Sequence, residues 1–163
     1  MSKRAAGGGA TPATVALERA GVEYRTHSYE HDPAHPSYGL EAAEALGVDP
    51  ARVFKTLVVS ADGRLAVGIV PVSASLDLRA MAAALGAKRV GLADQRDAER
   101  KTGYVAGGIS PIGQKTALPT VLDESALAWP TIHVSGGRRG FELELTPAAL
   151  QTATSATTAP LSR

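Results

Sequence analysis

The chain has 163 residues with 17 basic and 16 acidic side chains, so its formal net charge is only +1. One core usually serves about 100–200 residues, which points to a single domain, and a pI near 8.1 argues against wrapping long duplex DNA, where domains usually exceed pI ~9. The complete absence of cysteine excludes disulfides, thiolate-held zinc and a cysteine nucleophile.

Residues 1–10 are basic and then glycine-rich, and read as a flexible lead with no apolar stretch of the secretory kind. Thr11-Pro12 opens a helix, with Thr as N-cap and Pro at the first helical position, and Gly21 closes it. Tyr24 to Tyr29 reads as a strand, after which Pro33 and Pro36 force a loop. Leu40 to Leu46 is a short helix ended by Gly47. Val53–Ser60 and Arg64–Pro71 are strand runs joined by the turn signal Ala61-Asp62-Gly63. Leu76–Leu85 is an Ala/Leu-rich helix, Lys88–Leu92 a short strand, and Asp94–Thr102 a polar helix stopped by Gly103.

A Gly-rich loop spans Gly107 to Gly113, followed by an apolar run from Thr120 to Leu122. Thr131–Ser135 and Phe141–Leu145 flank Gly136-Gly137, which predicts a second hairpin turning at those glycines. Thr146-Pro147 repeats the Thr-Pro helix start, and residues 153–163, rich in Thr, Ala and Ser, read as a flexible tail. The expected organisation is therefore a lead at 1–10, one domain at 11–152 and a tail at 153–163. Hairpins mixed with helices predict a mixed α/β domain whose partly antiparallel sheet is flanked by helices. Aromatics make up 4% of the chain, so aliphatic residues must build that core. No apolar run reaches the ~18–20 residues of a membrane span, and the expected location is the cytoplasm.

Lys55 does not fit a bland core. It lies in Val53-Phe54-Lys55-Thr56-Leu57-Val58-Val59 and by period two shares a face with Val53, Leu57 and Val59. A lysine is almost never fully buried unless paired, so it reads either as an edge residue or as a cation aimed into a pocket. The run Gly107-Gly108-Ile109-Ser110-Pro111-Ile112-Gly113-Gln114-Lys115 lacks P-loop spacing, because Gln114 separates Gly113 from Lys115. It lacks nucleophile-elbow spacing too, since Ile112 stands in place of the second glycine. What remains is a stiff loop able to present backbone N–H groups to an oxyanion or phosphate. His27, His31 and His35 would line one face of a helix, but Pro33 and Pro36 preclude a continuous one; as a strand, His27, Tyr29 and His31 share a face, and a surface turn at Asp32-Pro33 competes with a metal site that no HExxH or clustered carboxylate pattern supports. Arg138 and Arg139 sit on the glycine-rich hairpin as a solvated turn or a phosphate contact.

Five segments in order resemble the YbaK/EbsC family, the free-standing relatives of the editing domain of bacterial prolyl-tRNA synthetases. They are His27–Pro33, Phe54–Leu57, Thr102–Tyr104, Gly107–Lys115 and Val134–Gly140, and together they span nearly the whole folded region. The resemblance is greatest to YbaK-type Cys-tRNA(Pro) deacylases. It implies a sheet curled into a partial barrel and trans-editing hydrolysis of mischarged Cys-tRNA(Pro). It further implies contact with the acceptor end of aminoacyl-tRNA and prolyl-tRNA synthetase as partner; the sequence itself gives no basis for a metal or organic cofactor, a membrane or DNA. Lys55, Gly107 and Gly108 are then the catalytic candidates: Lys55 as the pocket lysine, and the glycine amides as oxyanion donors. Tyr29, Ser110, Pro111, Gly113, Ser135, Gly136, Gly137 and Glu142 are the substrate-binding candidates, with Glu142 where relatives often carry Asp. Clearance of another small amino acid such as alanine, or a non-catalytic module binding tRNA ends or a synthetase, are the alternatives.

Overall fold

The computed structural model describes residues 9–163. The lead expected at 1–10 falls almost wholly outside them. Helix α1, Pro12–Ala20, is capped by Thr11, whose hydroxyl accepts from Thr14 N–H while the Thr14 hydroxyl accepts from Thr11 N–H. A threonine thus fills the place usually taken by Glu in a capping box. Strand β1 (Arg25–Ser28) and helix α2 (Tyr38–Leu46, capped by Ser37) follow, then a single 3-10 turn at Pro50–Arg52.

Strands β2 (Phe54–Ala61) and β3 (Arg64–Pro71) form the expected hairpin. Asp62 and Gly63 have φ of 50° and 84°, the two positive values that a tight two-residue turn requires. The Asp62 carboxylate also accepts the N–H groups of Lys88 and Arg89, fastening the turn to the chain entering β4 (Val90–Leu92). Helix α3 (Leu78–Leu85) precedes β4, and α4 (Gln95–Thr102) comes after it. Then follow β5 (Thr120–Asp123), β6 (Ile132–Arg138), β7 (Phe141–Leu145), α5 (Pro147–Thr154) and β8 (Thr157–Ala159).

The eight strands make two sheets. One has the order β4-β2-β3-β5-β8, antiparallel as far as β3 and parallel beyond it; the other has the antiparallel order β1-β7-β6. A parallel bridge between Val53 and His133 joins them at one corner. The two sheets do not close into a barrel. Both faces of the larger sheet are covered. Phe54, Val58, Val67, Ile69 and Leu122 enter the main core, whereas Val59, Ala66, Val70 and Val121 pack with Met81 of α3. Burial on both sides explains why β5 reads as a continuous run without alternation.

Two sequence expectations are corrected. The second hairpin does not turn at Gly136-Gly137. Strand β6 runs on to Arg138, with a register shift between Ser135 and Arg138, and the chain reverses at Arg139-Gly140. The glycines serve the bulge: a Cβ on Gly136 would enter the Phe141 ring, and Gly137 has φ of 112°. Nor are residues 153–163 loose. Strand β8 adds to β5, Leu161 is fully buried, and the Asp123 carboxylate accepts the N–H groups of Leu161 (2.7 Å) and Ser162 (3.0 Å). Ser75 and Arg163 exchange both backbone hydrogen bonds. A single leucine and an open strand edge outweigh a composition that looked disordered. Among the described residues no helix is long and apolar enough to cross a membrane.

Candidate functional site

Where the two sheets diverge from the Val53–His133 bridge they leave a cavity of about 390 Å³, lined among others by Tyr29, Tyr38, Lys55, Gly107, Ser135 and Glu142. Strand alternation sets these positions. Lys55 is on the same face of β2 as Leu57 and Val59, between the cluster that α2 forms with Val53 and the one that α3 forms with Val59. Ser135 pairs with Glu142 across β6 and β7 and lies on the polar face of the small sheet; its other face buries Ile132, Val134, Phe141 and Leu143. Tyr29 follows β1 and is held by its N–H to Gly140 O, 2.9 Å. A larger depression of about 470 Å³ borders Arg25, Thr131 and Glu144. It contains none of the residues singled out from the sequence, so the cavity holding Lys55 is taken as the site.

Among the described residues, burial rather than ion pairing dominates the electrostatics of this cavity. Burial lowers the pKa of the Lys55 ammonium, with no carboxylate acting to offset it. Burial also pushes the Glu142 carboxyl up to about 8, so near neutral pH it is largely protonated and able to donate a hydrogen bond. Burial, reinforced by Glu142, moves the Tyr29 hydroxyl to about 12, which keeps it a neutral donor. Thr56 Oγ1, also in the cavity wall, is buried without a hydrogen-bond partner among the described residues. Unmatched polar groups in a cavity wall are costly for folding and suited to a polar ligand.

The Gly-rich loop forms one rim, and its residues divide into two kinds. Gly107 lines the cavity, with its Cα facing Tyr38 and Arg139, and its N–H has no partner among the described residues. The N–H of Gly108 is already given to Val105 O at 3.0 Å. The expected pair of glycine oxyanion donors is therefore corrected to one free amide, because Gly108 closes a turn. Gly108 instead packs on the hairpin, where an added Cβ would lie 2.7 Å from Arg138 Cα. Ser110, Pro111, Gly113, Gly136 and Gly137 do not line the cavity. Ser110 and Pro111 are buried behind the loop, with Ser110 Oγ accepting from Ile112 N–H. Gly113 abuts the Pro12 carbonyl, and Gly137 abuts Tyr104. The Tyr104 hydroxyl donates to Ile112 O at 2.6 Å and the Thr11 hydroxyl to Gly136 O at 2.6 Å. These contacts tie the loop and the hairpin to the start of α1 and to Tyr104.

Arg139 packs behind the rim, against Tyr38 and Gly107. Its guanidinium stacks over the Tyr38 ring at 3.6 Å and stands 4.0 Å from Glu41 Oε1, while Nε and Nη2 are buried without hydrogen bonds among the described residues. Glu41 is itself engaged by His31 Nδ1 (2.9 Å) and Asp32 N–H (2.7 Å). The three histidines of the first motif separate: His27 meets Glu144, His31 meets Glu41, and His35 meets Glu44. Tyr38 and Glu41 carried no sequence signal, for each lies on a short helix where an aromatic or an acid is ordinary.

The sequence and the fold have counterparts in known proteins. Residues 34–153 match the model of the aminoacyl-tRNA editing domain family. A curated Enterococcus faecalis protein, provisionally named Cys-tRNA(Pro)/Cys-tRNA(Cys) deacylase EbsC, is 39% identical over 141 residues, covering 86% of this chain and 85% of its own. A solved structure described, again provisionally, as a trans-editing enzyme for prolyl tRNA synthetase superposes with a TM-score of 0.80 at 27% identity, over 93% of this chain and 95% of that one. Another, of a hypothetical protein, gives 0.82 at 28% identity, over 94% and 100% of the two chains. This chain belongs to the aminoacyl-tRNA editing domain family.

Proposed function

We propose that this aminoacyl-tRNA hydrolase clears cysteine mischarged onto proline tRNA, acting in trans beside prolyl-tRNA synthetase. The observation that carries the reading is the meeting of Tyr29, Lys55, Gly107, Ser135 and Glu142, from four separate motif segments and the adjoining strand, in one small cavity. The name of the Enterococcus faecalis relative and the description of the solved trans-editing structure support the same substrate class.

An aminoacyl ester is already activated, so positioning and oxyanion stabilisation account for most of what the enzyme must supply. In our reading the Gly107 N–H, without a partner among the described residues, and the Lys55 ammonium face the developing oxyanion or the terminal adenosine. Tyr29 and protonated Glu142 donate hydrogen bonds to the aminoacyl-ribose. Arg139, stacked on Tyr38 behind the mouth, adds positive charge that would favour a backbone phosphate there. The substrate supplies the nucleophile. Its thiol sulfur attacks the carbonyl carbon, the ribose oxygen departs with the thiol proton, and water opens the resulting thiolactone to free cysteine. The near-neutral net charge fits recognition of the acceptor end alone, with the synthetase contributing tRNA identity.

Single-turnover deacylation of proline tRNA charged with cysteine, alanine or proline, with wild type and Lys55→Ala, tests the reading. Clearance of the cysteinyl ester by wild type, lost in the variant, is expected. Clearance of the alanyl ester alone would move the specificity to another small amino acid. No clearance of any ester by folded protein would favour a non-catalytic module.

A further inference from the structure

We propose that His27, His133 and Glu144 form a binding site for a divalent transition-metal ion of the zinc type, outside the cavity assigned to the ester. They come from three adjacent strands, β1, β6 and β7. Glu144 stands opposite His133 in the register, and His27, opposite Glu142, lies one diagonal step away on the same sheet face. One ligand atom from each lies within 4.8 Å of the other two. Zinc bonds of about 2.0–2.2 Å bring neighbouring ligands somewhat closer than that, within reach of small side-chain rotations.

The donor set is selective. Two imidazoles and one carboxylate suit zinc and its first-row neighbours, whereas calcium and magnesium want oxygen ligands throughout. Glu144 Oε1 faces His27 Nε2 at 2.8 Å, while Oε2 accepts from the Thr131 hydroxyl (2.5 Å) and from Arg52 Nη2 (3.3 Å). These outer contacts turn one carboxylate oxygen toward the histidines, the arrangement that second-shell groups impose on metal ligands. His133 is 3% exposed, and its Nδ1 has no hydrogen-bond partner among the described residues. A buried ring nitrogen left unmatched is a second, independent mark of a missing partner. Glu144 also borders the open depression beside Thr131, and the His27 side chain is 34% exposed, so solvent reaches two of the three ligands. Once bound, the ion would pin β1 to the β6–β7 hairpin just before the chain reaches Tyr29.

Tag-free full-length protein, stripped with chelator, would be titrated with zinc and separately with magnesium by calorimetry. One zinc per chain, little magnesium binding and a zinc-dependent rise in unfolding temperature are expected. His27→Gln and His133→Gln should each weaken zinc at least tenfold. Cobalt should give visible bands of nitrogen–oxygen ligation that His27→Gln removes. Because His133 is buried and its variant risks misfolding, His27→Gln and the cobalt spectrum decide independently. No stoichiometric zinc binding to wild type, or binding and cobalt bands unchanged in His27→Gln, would overturn the site.

Discussion

Gly108→Ala probes how the loop is clamped to the hairpin. The added Cβ would lie 2.7 Å from Arg138 Cα and 3.1 Å from both Arg138 C and Arg139 N. All three are backbone atoms and cannot rotate away. Since carbon atoms rest about 3.5–4.0 Å apart, loop and hairpin must separate by roughly 1 Å. Overpacking of this kind typically costs about 1–3 kcal/mol, which for a chain of this size lowers the melting temperature by roughly 2–12 °C. The displacement reaches Gly107 and Arg139, which both pack against Tyr38. A misplacement of about 1 Å in a catalytic constellation can cost ~100-fold in rate. Thermal unfolding and single-turnover deacylation would be measured on the same preparation. A variant as stable and as fast as wild type would refute the claim that this contact sets the rim.

Lys55→Met should separate stability from activity. Among the described residues no carboxylate pairs with the partly buried ammonium, and burial lowers its pKa, so its removal should raise the unfolding temperature slightly while lowering the rate by ~10²–10³-fold. A less stable but fully active variant would contradict this. Leu161→Ala, at a fully buried position, should cost about 2–5 kcal/mol in denaturant unfolding; a loss under about 1 kcal/mol would mean that the C-terminal segment is dispensable. Asp123 supplies a pH signature. Burial alone would raise its pKa, but hydrogen bonds from the Ser125 hydroxyl, the N–H of Leu161, and the N–H groups of Ser125 and Ser162 lower it overall. Its stabilisation is therefore complete above the unfolded value near 4 and fades as pH falls through the lower folded value. Comparing wild type with Asp123→Asn across pH 2–6, a stability difference that did not shrink toward acid would count against the assignment.

Most of the fold was legible because its boundaries rest on local chemistry. Thr11-Pro12 and Thr146-Pro147 start helices and Gly21, Gly47, Gly86 and Gly103 end them in left-handed conformations. The failures share a physical origin, since each depends on a distant partner. Gly136 is required by the Phe141 ring rather than by a turn. The segment 157–159 becomes a strand only because β5 offers an open edge.

The site divides the same way. Lys55 was conspicuous as a charge in an apolar strand, and the structure sets it in a cavity with Tyr29 and Glu142. The occupied Gly108 amide, the stacking of Arg139 on Tyr38 and the buried Thr56 hydroxyl are relations in space. Spacing along the chain does not encode them.

The central claim is that the cavity positions a cysteinyl ester whose own thiol attacks the carbonyl. Its most direct test is single-turnover clearance of proline tRNA charged with cysteine against the same tRNA charged with serine, where sulfur is exchanged for oxygen at nearly constant shape. The account predicts rapid loss of the cysteinyl ester and seryl clearance at least ~100-fold slower, the scale of a lost catalytic contribution. Equal rates would contradict it.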